Sequence, residues 1–131
     1  MNKLSSKELD LYSNQILEDY DAKKPSQIFK NKVKVSNEDA LLIQNKVTEL
    51  RVSRGEEVIG YKIGCISKDT QKKMDLSHPA KGTLWKHELH QSGVELNKKD
   101  YFNPAMEAEF GVILNRDCLL YTSPSPRDTI R

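Results

Sequence analysis

Glu107 and Glu109 stand two residues apart in the stretch Pro104-Ala105-Met106-Glu107-Ala108-Glu109-Phe110-Gly111-Val112-Ile113-Leu114. In an extended strand successive side chains alternate between faces, which puts Glu107, Glu109, Gly111 and Ile113 on one side. Met106, Ala108, Phe110, Val112 and Leu114 fall on the other, a face suited to a core. Two carboxylates on one face can converge on a divalent cation, and Mg²⁺ or Mn²⁺ favours carboxylate oxygen. An E-x-E strand is more often a solvated edge, so the spacing alone does not decide. The second candidate is Lys62, set between Tyr61 and Ile63. A lysine buried there has a lowered pKa and can transfer protons or form a Schiff base. On the wet face of a half-buried strand, the commoner outcome, it is an ordinary ammonium.

The remaining reactive types carry weaker signals. His78, His87 and His90 do not form a metal spacing, and surface positions are expected for them. Cys65 and Cys118 give neither a disulfide framework nor a zinc pattern, and Cys65 reads as a structural thiol. Gly60-x-x-x-Gly64 lacks the third glycine of a dinucleotide fingerprint and the Gly-Lys-Ser/Thr of a P-loop, which excludes a nucleotide site of either kind.

The elements that must position Lys62 and the two acids can be read in order. Ser5-Ser6-Lys7-Glu8 is a capping box with Leu4 as a staple, opening a helix whose stripe is Leu9, Tyr12, Ile16, Leu17 and Tyr20. Asp21 to Pro25 ends it. A Lys-rich connection follows, anchored by Ile28, Phe29, Val33 and Val35. Ser36 caps a second helix with Glu38 and Asp39 in its first turn; its stripe is Ala40, Ile43, Val47 and Leu50, and Gly55 stops it. Glu49 and Arg54 read as solvated. Val58 to Gly64 is a strand whose glycines invite close approach. Ser67 caps a short helix through Gln71 to Met74, and Leu76 to Gly82 is loop. Thr83-Leu84-Trp85 and Gly93 to Leu96 read as short strands, and Asn103-Pro104 introduces the acidic strand. Helices first and strands later favour α+β over a doubly wound sheet.

Composition narrows the function classes. The chain has 131 residues, 37% of them hydrophobic and 31% charged, enough for one small domain. Its 21 basic and 19 acidic residues leave a formal charge of +2. That balance, without interleaved aromatics, argues against a nucleic-acid partner and against an anionic membrane surface. No apolar run reaches membrane-spanning length and no signal-peptide core opens the chain, so a soluble cytoplasmic protein is expected. The end, Cys118 to Asp128, breaks into a Ser/Pro segment. It resembles one reading frame of a transposase adapter used in sequencing libraries. Residues 118–131 are therefore expected to be a non-native tail, with the natural sequence stopping near Asp117.

Taken together, the segments resemble the 2-keto-4-pentenoate hydratase/oxalocrotonate decarboxylase family, within the fumarylacetoacetate hydrolase superfamily. The resemblance rests on Ala40 to Gln44, Arg54-Gly55-Glu56, Gly60-Tyr61-Lys62-Ile63-Gly64 and Ser67-Lys68-x-x-Gln71. It continues through Pro79-x-x-Gly82-x-Leu84 and Pro104-x-x-Glu107-Ala108-Glu109, followed by Val112-Ile113-Leu114. It implies an N-terminal helical region over 1–57 and the first part of a mixed β-sheet or barrel, the β-rich catalytic domain, over 58–117, truncated there. It also implies a metal-dependent hydratase acting on a 2-hydroxy-2,4-dienoate or 2-oxo-4-enoate from aromatic-compound catabolism, with 2-oxo acid decarboxylation as the alternative. A full-length chain would be a homo-oligomer. The resemblance assigns Glu107 and Glu109 to Mg²⁺ or Mn²⁺, with a third carboxylate beyond Asp117, and Lys62 to catalysis. Ser67, Gln71 and Leu84 fall to substrate binding. Two positions depart from the family pattern: Ala80, where relatives often carry Asp, and Ile66, where a hydroxyl residue is common. A barrel cut after its acidic strand would leave an unpaired edge, so the 131-residue chain is expected to be inactive and prone to aggregate.

Overall fold

The computed structural model describes residues 3–114. The expected tail, with Asp117 and Cys118, lies outside them. Among the described residues the chain forms an α+β arrangement of helices α1 (Ser6–Asp21), α2 (Gln27–Lys30) and α3 (Asn37–Ser53), strand β1 (Val58–Gly64), helix α4 (Lys68–Lys73) and strand β2 (Ala80–Trp85). Helix α1 packs against α3 and α2, and β1 pairs with β2.

The helix starts follow the local chemistry. The Glu8 amide donates to Ser5 Oγ and the Ser5 amide to Glu8 Oε2, closing the capping box of α1. At α3, Ser36 Oγ accepts from the Asp39 amide at 3.0 Å and donates to Asp39 Oδ2 at 2.8 Å. Asp39 is 3% exposed and its other oxygen accepts from the Leu4 amide, so one cap ties the chain start to α3. Ser36→Ala is expected to cost about 1 kcal/mol, read as a lower urea midpoint with unchanged slope.

All four helices end with the same reversal. After α3 the Gly55 amide donates to Val52 O and the Glu56 amide to Arg51 O, with Gly55 at φ +94°. The same paired bonds close α1, α2 and α4 at Lys23, Lys32 and Asp75, each with positive φ. At Gly55 the turn does more than stop a helix, because it folds Glu56 back over Arg51.

Strands β1 and β2 run antiparallel, with Lys62 opposite Gly82, Gly60 opposite Leu84 and Gly64 opposite Ala80. The register slips between Val58 and Gly60, a bulge at Ile59. Trp85 at the end of β2, Ile43 on α3 and Ile28 on α2 form the buried apolar core of the described residues. Beside them lies a cavity of about 440 Å³ walled by Ile16, Phe29, Val35 and Val47.

Several expectations are corrected. Residues 104–114 do not form a strand: they are irregular and exposed. A strand needs backbone partners, and among the described residues none bonds to this segment. Met106 and Phe110, expected on a core face, are fully exposed. Gly93 to Leu96 is a turn followed by irregular chain for the same reason. Ala40 is exposed and Asp39 is buried in its place, because the cap turns the carboxylate inward. Tyr20 is half-exposed, whereas Ser13, outside the expected stripe of α1, is fully buried. Phe29 is 74% exposed and does not anchor the connection.

Candidate functional site

Strand alternation and the register place Gly60, Lys62 and Gly64 on one face of the hairpin, with Ala80, Gly82 and Leu84 beside them. Glycine at 60 and 82 leaves Lys62 as the one long polar side chain in the middle of that face. Its Nζ donates to Glu107 Oε2 at 2.7 Å and lies 3.0 Å from Glu109 Oε1. The two acids therefore reach one point, as the two-residue spacing predicts, although the backbone carrying them is irregular.

Lys62 is not buried; its side chain is 44% exposed. Hydrogen bonds to Glu107 and then Glu109 push its pKa upward, the opposite of what burial was expected to do. The hydrogen bond from Lys62 and its charge hold the Glu107 carboxyl below the ordinary carboxylate value. In this arrangement the lysine is a firm ammonium.

The donor set fits a hard divalent cation in kind. Two carboxylates converge on a point already taken by a positive group, and both are accessible, at 68% and 50% exposure. It is incomplete in number: among the described residues no three His, Cys, Asp or Glu side chains are grouped to hold a metal. Mg²⁺ seeks six oxygens and commonly keeps several waters, so two protein carboxylates make a partial shell.

The other expected residues lie on or next to the hairpin. Ser67 Oγ accepts from the Thr70 amide at 3.1 Å and donates to Thr70 Oγ1, capping α4. Gln71 is 4% exposed, and its Nε2 donates to the carbonyls of Cys65 and Ile66, bracing the turn at the end of β1 where Cys65 has φ +53°. Leu84 is 43% exposed on the same face as Gly60, its Cδ1 3.8 Å from where a Cβ there would stand. Ala80 opens β2, and Ile66 is 74% exposed.

A second polar cluster was not foreseen. Arg51, 7% exposed, stacks its guanidinium 4.0 Å from the Trp85 ring centre and 4.8 Å from that of Tyr20. Its Nε donates to Glu56 Oε2 at 2.7 Å and its Nη2 to Glu88 Oε1 at 2.9 Å. Tyr20 Oη donates to the same Glu88 oxygen at 2.5 Å. Arg54, read as solvated, holds both oxygens of Asp21 and also Glu56. Burial opposes the charge on Glu56, but the hydrogen bonds from Arg51 and Arg54 outweigh it and lower its pKa. Burial and the bond to Glu88 raise that of Tyr20. The cluster joins the end of α1, the end of α3 and the open end of the hairpin, where the start of β1 meets the end of β2, so it fixes where β1 stands. The sequence signal was present: Arg51 follows Val47 by four residues on the buried stripe.

No family model matches the chain. It is 33% identical over 78 residues to a 2-keto-4-pentenoate hydratase of Burkholderia vietnamiensis (strain G4 / LMG 22486), covering 60% of this chain and 30% of that protein. It is 34% identical over 86 residues to a 2-hydroxypent-2,4-dienoate hydratase of Pseudomonas putida, covering 65% and 39%. Among solved structures, a 4-oxalocrotonate decarboxylase from Pseudomonas putida G7, complexed with magnesium and adipate, superposes with a TM-score of 0.56 at 18% identity. That match covers 66% of this chain and 34% of the decarboxylase. The chain thus spans roughly a third of the length of the relatives it matches. By sequence, then, the chain is similar to hydratases of 2-keto-4-pentenoate and 2-hydroxypent-2,4-dienoate, and by fold to a 4-oxalocrotonate decarboxylase.

Proposed function

We propose that this chain carries two metal ligands and the active-site lysine of a metal-dependent hydratase that adds water to a 2-hydroxy-2,4-dienoate or its 2-oxo-4-enoate tautomer. The observation that carries this is the convergence of Glu107 and Glu109 on the Lys62 ammonium. Glu107 and Glu109 would hold Mg²⁺ or Mn²⁺, and a third carboxylate would come from outside the described residues. The ion supplies Lewis-acid stabilisation of the charge that develops on a 2-oxo acid as it enolises. Lys62, as an ammonium, can donate a proton to C5 of the dienol while the enol hydroxyl gives up its own proton, leaving a conjugated 2-oxo-3-enoate to which water adds at C4. The face formed by Gly60, Gly82 and Leu84 leaves room for an unsaturated carbon skeleton beside it. Ser67 and Gln71 hold the turn that ends β1 and so keep Lys62 in register. We read the hairpin as the start of a mixed β-sheet or barrel of the fumarylacetoacetate hydrolase type. The hydratases found by sequence support this reading.

Decarboxylation of a 2-oxo acid is the second reading, favoured by the structural match to a 4-oxalocrotonate decarboxylase. A chimera separates them: residues 3–114 of this chain are placed in the Burkholderia hydratase in exchange for its matching segment. Metal-dependent hydration of 2-hydroxypenta-2,4-dienoate is expected. A chimera that folds by circular dichroism, binds Mn²⁺ and releases CO₂ from 4-oxalocrotonate without hydrating the dienoate would favour the decarboxylase. A folded chimera that does neither would sink both readings.

A further inference from the structure

We infer that Lys62 is the resident occupant of the cation seat between Glu107 and Glu109, and that a divalent cation enters only by displacing its ammonium. The inference rests on the metal-site reading above. One oxygen from each acid faces the same Nζ, at 2.7 and 3.0 Å. A metal ion seated at that same point, with an oxygen of each acid at about 2.0–2.4 Å, would fill the space the ammonium takes, so the two occupants exclude one another there. Two carboxylates drawn together repel, and a positive group between them offsets the repulsion. Among the described residues the contacts with Lys62 are also the only hydrogen bonds and ion pairs made to 106–114. Lys62 therefore gathers the two acids and competes for them with an arriving metal ion. Its flexible four-carbon stem allows the ammonium to swing aside without moving the strand. That leaves it beside the loaded seat, on the side of the hairpin where a substrate would lie.

The test is zero-length carbodiimide coupling on the 131-residue chain, with the amide links mapped by mass spectrometry, with and without millimolar Mg²⁺. The pair Lys86–Glu57 at 2.6 Å, exposed on both sides, is an internal control. A Lys62–Glu107 or Lys62–Glu109 link is expected without metal, falling in yield with Mg²⁺ while the control link does not change. In parallel, Lys62→Gln should tighten Mn²⁺ binding, read by electron paramagnetic resonance, by roughly three- to tenfold, the range for losing two exposed ion pairs. Lys62→Arg should stay near the original affinity. A control link without any Lys62 link, a Lys62 link indifferent to bound metal, or Lys62→Gln binding Mn²⁺ no tighter would each overturn the displacement. Mn²⁺ binding insensitive to Glu107→Gln and Glu109→Gln would instead defeat the metal-site reading itself.

Discussion

Arg51→Ala is expected to lower the free energy of unfolding by about 3 kcal/mol, the low end of what removing one partner of a buried ion pair costs. The substitution takes a guanidinium from between Trp85 and Tyr20 and leaves Glu56, 14% exposed, with Arg54 as its one remaining guanidinium partner and His87 3.7 Å away. Trp85 is one of three buried apolar side chains in the described fold, so its lost stacking partner comes from the centre of a small core. Arg51→Met keeps apolar contact with both rings and should lose less. The measurement is urea unfolding followed by Trp85 fluorescence. A midpoint unchanged in Arg51→Ala would show that the cluster is ornamental. The same cluster fixes a pH dependence. The pKa of Glu56 is lowered on folding, so its contribution is present above the ordinary carboxylate value and disappears as pH falls through the lower folded value. Arg51→Ala should therefore lose less stability on acidification than the unaltered chain.

The helices were legible because their signals are local. Ser5-Ser6-Lys7-Glu8, Ser36 with its acids, Ser67, and Gly55 each satisfy backbone groups within a few residues, and each acts as its spacing predicts. Strands β1 and β2 were legible in part because each supplies the other's backbone partner. The acidic strand was not, although its alternation is the clearest in the chain. Alternation states which faces a strand would have, whereas forming one needs a neighbouring backbone, and the described residues provide none for 104–114. The two acids still face one point, because two residues of extended chain place Glu107 and Glu109 on one side with or without a ladder. Ser67 and Gln71, which the resemblance assigns to substrate binding, make hydrogen bonds to Thr70, Cys65 and Ile66. Beyond the place of Arg51 on the α3 stripe, its cluster is not legible in the sequence, because it is assembled from α1, α3, the turn after α3, the end of β2 and the turn beyond it. No window of sequence contains it.

Glu107→Gln and Glu109→Gln are each expected to weaken Mn²⁺ binding at least about tenfold and to lower kcat/KM of the chimera about a hundredfold or more. Glutamine keeps the size of the side chain and one oxygen that can accept from Lys62, but it removes the charge that a hard cation requires. Both acids are well exposed, so the urea midpoint should not move, which separates a lost ligand from a lost fold. Glu57→Gln, which removes an equally exposed acid paired with Lys86, is the matched control and should leave Mn²⁺ affinity and turnover as they were. The single variants also decide between the two meanings of an E-x-E segment. If both ligate, each substitution alone is severe and the double variant adds little, because a ligand set short of one carboxylate already fails to hold the ion. If only Glu107 matters, Glu109 is a solvated neighbour whose 3.0 Å approach to Lys62 is incidental, and the seat needs a different second ligand. A cation point 2.7 Å from one acid and 3.0 Å from the other is shared, and shared occupancy predicts that both single losses are large.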